Sequence, residues 1–340
     1  MRKSLIAIGV VLVLISCSES KETKLQRFLL KGNMMALDHD DDQALDYYQE
    51  ALKLDPCFTD ALNNTGTIYF QLKRYDLALE NYEKAISCDA NYLNAYFNRA
   101  NTYYELKEYY RTLKDLDRVI QAKPDTAIAY FTRGLAFTKL RDFSAALEAF
   151  DKSVLLDPTK VEYFVNRATV KYYRKDFDGA RIDLFHAKGI NSNEATIYNT
   201  ESMIEVELKN YTKAMELINQ AITLTPAEPY FINNRGFIYL SLGELDMAEA
   251  DINKGIGLDP YNGWAYRNKG IYYFLKNDFE SAERLLKQAL DMDPFIDKIH
   301  FYLGMGYLKN GKQAIACEQF NMSEELGDKM LTADLIKTCQ

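Results

Sequence analysis

The side chains most able to do chemistry in this 340-residue chain are three histidines, five cysteines and an acidic run, Asp38-His39-Asp40-Asp41-Asp42. Hard cations such as calcium take several oxygen ligands, and the run supplies carboxylates. It lacks the spaced D-x-D-x-D-G arrangement of a calcium loop, so it reads as a turn whose acids favour the start of the following helix. After Cys17 the cysteines are Cys57, Cys88, Cys317 and Cys339, at spacings that match no metal or redox motif. Their even number suits an oxidising compartment, and both a Cys317–Cys339 pair and free thiols are compatible with the spacing. No serine or cysteine sits in a base-bearing motif, and no glycine-rich phosphate loop is present. The chain is therefore read as a non-enzyme that needs no metal or cofactor.

The elements around these residues follow one period. Six of the seven prolines, Pro56, Pro124, Pro158, Pro226, Pro260 and Pro294, are separated by multiples of 34 residues, and a period of this size marks stacked supersecondary units. Anchored on them, residues 25–330 divide without gaps into nine blocks: 25–58, 59–92, 93–126, 127–160, 161–194, 195–228, 229–262, 263–296 and 297–330. Their eighth position is always small: Gly32, Gly66, Ala100, Gly134, Ala168, Ser202, Gly236, Gly270 and Gly304. The twentieth is alanine except at Thr112, and the twenty-seventh is nearly as strict. Small residues at fixed places predict two helices whose backbones approach closely, because a bulkier side chain there would strain the contact. Large residues recur at positions 4 and 11, and the spacings 4-8-11 and 20-24-27 each share one helix face. Proline then falls where the second helix stops.

At these positions the chain resembles the tetratricopeptide repeat, whose pattern has aromatics at 4, 11 and 24, small residues at 8, 20 and 27, and proline at 32. The resemblance covers 306 of 340 residues. It implies an all-α fold, a right-handed α-α superhelix of nine 34-residue repeats, with residues 331–340 as a C-terminal capping helix over the hydrophobic face that a terminal repeat leaves. Departures are local. Ala90, Ser192 and Asp328 stand in place of proline, Lys171 and Glu205 in place of the aromatic at 11, and His300 in place of that at 4. The frame also accounts for the histidines: His39 belongs to a turn, His186 to a solvent-facing position, and His300 to a packed ring position.

At the N-terminus, Arg2 and Lys3 precede an apolar run from Leu5 to Ile15. The run is shorter than the roughly 20 residues of a bilayer span and has the layout of a secretory signal. Its end, Leu14-Ile15-Ser16-Cys17, resembles the bacterial lipobox. That resemblance implies a signal peptide over 1–16, lipid on Cys17 and a tether over 17–24, which attaches the protein to a membrane. With Ser18 rather than aspartate after the cysteine, it implies the outer membrane of the cell envelope, with no indication of which side is faced. The formal charge is −8, and loss of residues 1–16 removes Arg2 and Lys3 and leaves −10. An acidic surface disfavours nucleic acid as a partner.

In the family the first helix of each repeat lines a concave face through positions 2, 5, 9, 12 and 13. Here position 9 changes from Asn33, Thr67, Asn101, Leu135 and Thr169 to Met203, Phe237, Ile271 and Met305. Position 2 becomes Tyr230 and Trp264, and position 12 adds Val206, Leu240, Phe274 and Leu308. Read as exposed, these residues form an apolar strip along repeats 6–9, and contiguous exposed apolar area marks interaction sites. The resemblance thus implies a lipid-anchored scaffold or adaptor of the bacterial envelope that receives a segment of another envelope protein on this strip, with Trp264, Phe237 and Tyr230 as anchors. The competing readings are a strip filled by the chain's own coiling, its tail or a second copy, and a groove-type receptor for a glycan or small molecule. A homo-oligomer fits either picture. Asparagine recurs at position 6, but lysine at 5 and arginine at 6 are missing, so the family's carboxylate-clamp mode is unsupported. The Asn-Arg and Asn-Lys pairs at 98–99, 166–167, 234–235 and 268–269 read as recurrent repeat chemistry.

Overall fold

The computed structural model describes residues 19–328 and 330–339. The expected signal peptide, the expected lipid site Cys17 and the start of the expected tether therefore lie outside the described residues. Among the described residues all regular structure is helical. Nine helical hairpins follow the 34-residue frame: α1 (Lys21–Leu37) with α2 (Asp41–Leu54), α3 (Thr59–Gln71) with α4 (Tyr75–Cys88), α5 (Leu93–Glu105) with α6 (Tyr109–Ala122), and α7 (Ala127–Lys139) with α8 (Phe143–Leu156). After these come α9 (Val161–Tyr173) with α10 (Phe177–Ile190), α11 (Ala195–Glu207) with α12 (Tyr211–Leu224), α13 (Pro229–Leu242) with α14 (Leu245–Leu258), α15 (Gly263–Leu275) with α16 (Phe279–Met292), and α17 (Ile299–Lys309) with α18 (Gln313–Glu325). A short α19 (Ala333–Lys337) ends the chain. The hairpins belong to two compact units, one through Leu156 and one from Asp157.

Local chemistry sets the helix ends. Each of the six periodic prolines stands two residues beyond the second helix of its repeat, while Pro229 opens α13, where a missing N–H costs nothing. Within each hairpin the turn passes through a left-handed residue, as at His39, Lys73, Lys107, Arg141, Lys175, Lys209, Gly243, Asn277 and Gly311. This conformation lets the last turn of the first helix close on itself, with the Arg74 amide, for example, donating to the Tyr69 carbonyl at 2.8 Å. Asp40 then caps α2, its carboxylate accepting from the Gln43 amide at 3.1 Å, and Asp142, Asp176 and Asp278 repeat the arrangement. The acidic run thus serves as the cap of a helix.

Inside the hairpins the small eighth position faces the twenty-fourth. A Cβ built on Gly32, Gly66, Gly134 or Gly304 would lie 2.4–2.6 Å from the ring of Tyr48, Tyr82, Phe150 or Phe320. Where the eighth residue is Ala100, Ala168 or Ser202, the twenty-fourth is the aliphatic Leu116, Leu184 or Ile218. Successive hairpins within a unit are joined by asparagines. The Asn98 amide donates to Asn63 Oδ1 at 2.9 Å in the first unit, and Asn234 to Asn199 and Asn268 to Asn233 do the same in the second. Asn64, Asn98, Asn234 and Asn268 at position 6 thus serve repeat stacking, whereas Asn166 donates to the Glu162 carbonyl of its own helix.

All four described cysteines are paired, Cys57 with Cys88 and Cys317 with Cys339. The first bond ties the turn after α2 to the end of α4. The second holds the C-terminal segment, whose Leu331 and Leu335 pack against the core of the last repeats. His186 is exposed, whereas His300 is buried with Nδ1 2.8 Å from Gln319 Oε1.

Candidate binding face of the second unit

The first helices of repeats 6–9, α11, α13, α15 and α17, carry all ten residues of the apolar strip. The expectation of a continuously open strip does not hold. Val206, Phe237, Leu240 and Ile271 are buried, Phe237 at 7% and Ile271 at 1% exposure, and all four belong to one hydrophobic cluster. Trp264, Met305 and Leu308 are partly buried against the core of the last repeats. Met203 and Phe274 are partly exposed, the latter with its ring 5.6 Å from that of Tyr302. Tyr230 alone among the ten is well exposed, at 48%.

What covers the middle of the strip is a set of charges from the same unit. Arg267, at position 5 of repeat 8, is 3% exposed, and its guanidinium lies over the rings of Phe237 at 4.6 Å and Trp264 at 4.9 Å. It donates to Asn268 Oδ1 and to the Asp297 carbonyl. Lys298 approaches the same Phe237 ring at 5.4 Å and pairs with Glu207 at 3.0 Å, across 91 residues of sequence, and with Asp297 at 3.4 Å. Glu207 also takes Lys175 at 3.1 Å. The long reach follows from the start of repeat 9. There Lys298 adopts the left-handed conformation and α17 begins at Ile299, so a residue expected inside a helix becomes its cap.

The electrostatics are those of a closed network. Burial pushes the Arg267 guanidinium down, with Asp297 acting in the opposite sense. Burial would raise the Glu207 carboxyl, but Lys298 and Lys175 outweigh it and hold it below the usual glutamate range. For Lys298, burial disfavours the charge while Asp297 and Glu207 restore it, with a net upward shift. Aromatic faces attract such desolvated cations by about 2 kcal/mol or more, which supplies a structural reason for Phe237 and Trp264. Such a face can seat a chain segment at its rim around Tyr230, but its centre is already occupied.

A second pattern escaped the sequence reading. In repeats 3, 5 and 7 the arginine at position 7 grips the aspartate at position 23 of the same repeat through Nε and Nη2. The distances are 2.7 and 2.8 Å for Arg99–Asp115, 2.9 and 2.6 Å for Arg167–Asp183, and 2.6 and 2.9 Å for Arg235–Asp251. The three aspartates are buried. Lys171, one of the departures at position 11, adds its ammonium to Asp183 at 2.8 Å. Glu205, the other departure, accepts from Arg181 at 2.8 Å. The recurring sixteen-residue separation of arginine and aspartate was the available signal.

Family profiles described as TPR repeat match residues 66–107, and those described as tetratricopeptide repeat match 47–80, 94–160, 195–228, 230–262 and 267–328. No curated protein matches the chain. Among solved structures, the APC/C hetero-tetramer Cut9-Hcn1 is similar at 18% identity and a TM-score of 0.61, over 94% of this chain and 63% of that one. The chain thus spans less than two thirds of the length of that relative. PilF of Pseudomonas aeruginosa is similar at 19% identity and a TM-score of 0.56, over 63% of this chain and 97% of that one. At these identities the likeness bears on fold alone.

Proposed function

The chain belongs to the tetratricopeptide-repeat family, and from that premise we propose that it is a lipid-anchored scaffold of the bacterial envelope that holds a segment of a partner protein against the first-helix face of repeats 6–9. Repeats of this kind serve protein–protein interaction in general. The observation that carries the site is Tyr230. It is a large aromatic, half exposed, on a face whose other aromatics are engaged by the fold, and its hydroxyl has no hydrogen-bond partner among the described residues. Tyrosine supplies broad contact area with a polar tip and is enriched among residues that dominate interface energy. Met203, Trp264 and Phe274 are the other partly exposed apolar residues of the strip on α11 and α15.

Export is supported by the two disulfides, since cytosolic thiols are kept reduced. Anchoring rests on the lipobox-like Leu14-Ile15-Ser16-Cys17. A lipoprotein cysteine with at least two acyl chains holds stably, where one chain binds reversibly. The outer membrane is the proposed location because Ser18 follows Cys17.

Two experiments test this reading. A photo-crosslinking residue placed at 230 in intact cells should give one dominant protein adduct, absent when the same residue replaces Phe185 on the exposed side of α10. Equal adducts from both positions, or none from 230, would remove the binding site. Radiolabelled palmitate should enter the parent protein but not Cys17→Ser, and the variant should leave the membrane fraction. Continued sedimentation of unlabelled Cys17→Ser with membranes would refute the anchor.

A further inference from the structure

Repeat 4 breaks the arginine–aspartate pattern of its neighbours, and the break leaves a cleft. Arg133 stands at position 7, where repeats 3, 5 and 7 have the gripping arginine, but position 23 is Ala149. Arg133 keeps one contact of its counterparts: its Nη1 lies 3.2 Å from Asp117, at position 25 of the preceding repeat, just as Arg235 Nη1 donates to Asn219 at the same position of its own predecessor. The Nε–Nη2 edge, which in the sister repeats holds a carboxylate at both ends, has no hydrogen-bond partner among the described residues. Arg133 and Ala149 line a cleft of about 420 Å³ within the first unit.

We propose that this cleft binds the carboxylate of a ligand in the slot that an aspartate fills in repeats 3, 5 and 7. The guanidinium fork is the group that matches a planar carboxylate with two parallel hydrogen bonds. The walls are suited to an apolar body: Tyr130, Phe137 and Leu155 line the cleft, and the Arg133 guanidinium lies 5.5 Å from the Phe137 ring centre. Lys152 adds a second cation, while Glu148, Asp151 and Asp117 bring three carboxylates to the surroundings. That balance selects a monocarboxylate over a dianion or a phosphate. The same chemistry is available from a free organic acid and from an acidic side chain of a bound protein.

The test uses the full chain with benzoate and N-acetylglutamate α-amide as probes, and benzamide as the neutral isostere, followed by calorimetry and ligand-observed NMR. Saturable binding of a carboxylate probe, with benzamide weaker, is expected. Ala149→Asp should weaken it about tenfold or more by occupying the fork internally, and Arg133→Lys should do likewise while keeping the charge. Ala149→Asp places in repeat 4 the residue that three sister repeats carry, and unchanged helicity and melting establish that it folds. Stronger binding of the glutamyl probe assigns the carboxylate to a partner protein, and stronger binding of benzoate to a free acid. No saturable binding of either probe, equal binding of benzamide, or undiminished binding by folded Ala149→Asp would overturn the proposal.

Discussion

Replacing Gly134 with alanine probes the contact on which each hairpin is built. The added Cβ would sit 2.6 Å from Cδ1 and Cε1 of Phe150 and 2.9 Å from Cζ, where ordinary contact begins near 3.4 Å. Phe150 is fully buried, with its ring 5.8 Å from that of Phe131, so it cannot swing into solvent. Overpacking of this kind costs about 1–3 kcal/mol. Alanine recovers about 1 kcal/mol of helix propensity, which leaves a net loss of about 0–2 kcal/mol. The chain itself suggests the rescue. Ala100 and Leu116 share one cluster in repeat 3, and Ala168 stands sixteen residues before the fully buried Leu184 in repeat 5. Phe150→Leu alone should lose about 1–2 kcal/mol to the space it opens. The double variant Gly134→Ala, Phe150→Leu should be more stable than either single one, with a coupling of about 1–3 kcal/mol. Because repeat arrays depart from two-state unfolding, the readout is hydrogen exchange of the α7 and α8 amides beside a urea midpoint. Simple additivity, with coupling below about 0.5 kcal/mol, would refute the idea that positions 8 and 24 are matched pairwise.

Asp183→Asn leaves Arg167 and Lys171 without their shared carboxylate and should cost about 3–5 kcal/mol, read as lost exchange protection in α9 and α10. Cys57→Ser with Cys88→Ser opens a 31-residue loop and should cost about 3–4 kcal/mol on the chain-entropy account; an unchanged urea midpoint would contradict it. The Glu207 carboxyl is more acidic in the fold than in the open chain, so its contribution is complete above the ordinary glutamate range and is lost as pH falls through the depressed value. Asp328, which burial pushes upward, acts in the opposite sense, its contribution being lost as pH rises through its folded value. The difference between parent and Glu207→Gln in urea titrations should therefore shrink on acidification below the ordinary glutamate range, and a constant difference would contradict the Lys298–Glu207 link.

The legible part of the fold was whatever repeats. The 34-residue prolines fix where second helices end, and the small residues at 8, 20 and 27 fix where two backbones meet, because each constraint is local to one hairpin. Every ring at position 24 faces a glycine at position 8, while aliphatic residues there face alanine or serine in repeats 3, 5 and 6 and glycine in repeats 7 and 8 (Gly236 with Ile252, Gly270 with Leu286); this is a statement about pairs and cannot be read one position at a time. The arginine–aspartate pairs are of the same kind. Lys171 and Glu205 appeared as defects in an aromatic column because their partners, Asp183 and Arg181, lie outside that column. Least legible was Lys298. Its left-handed conformation and its reach to Glu207 depend on how repeats 6 and 9 come together, which no local pattern encodes.

The apolar strip shows why residue type is a poor guide to exposure on such a face. Burying Arg267 without a carboxylate within salt-bridge distance is costly unless its surroundings replace what water gave. They do so with two aromatic faces, the Asn268 amide oxygen and the Asp297 carbonyl. Phe237 and Trp264 are therefore explained by the arginine between them, and their aromatic character carries no information about a visitor. The same reasoning applied to Tyr230 leaves a remainder. It stacks on no cation, pairs with no ring and donates to no acceptor among the described residues, yet it puts a large apolar surface into water. Of the ten residues on the strip it is the most exposed, and the proposed partner segment would cover that surface.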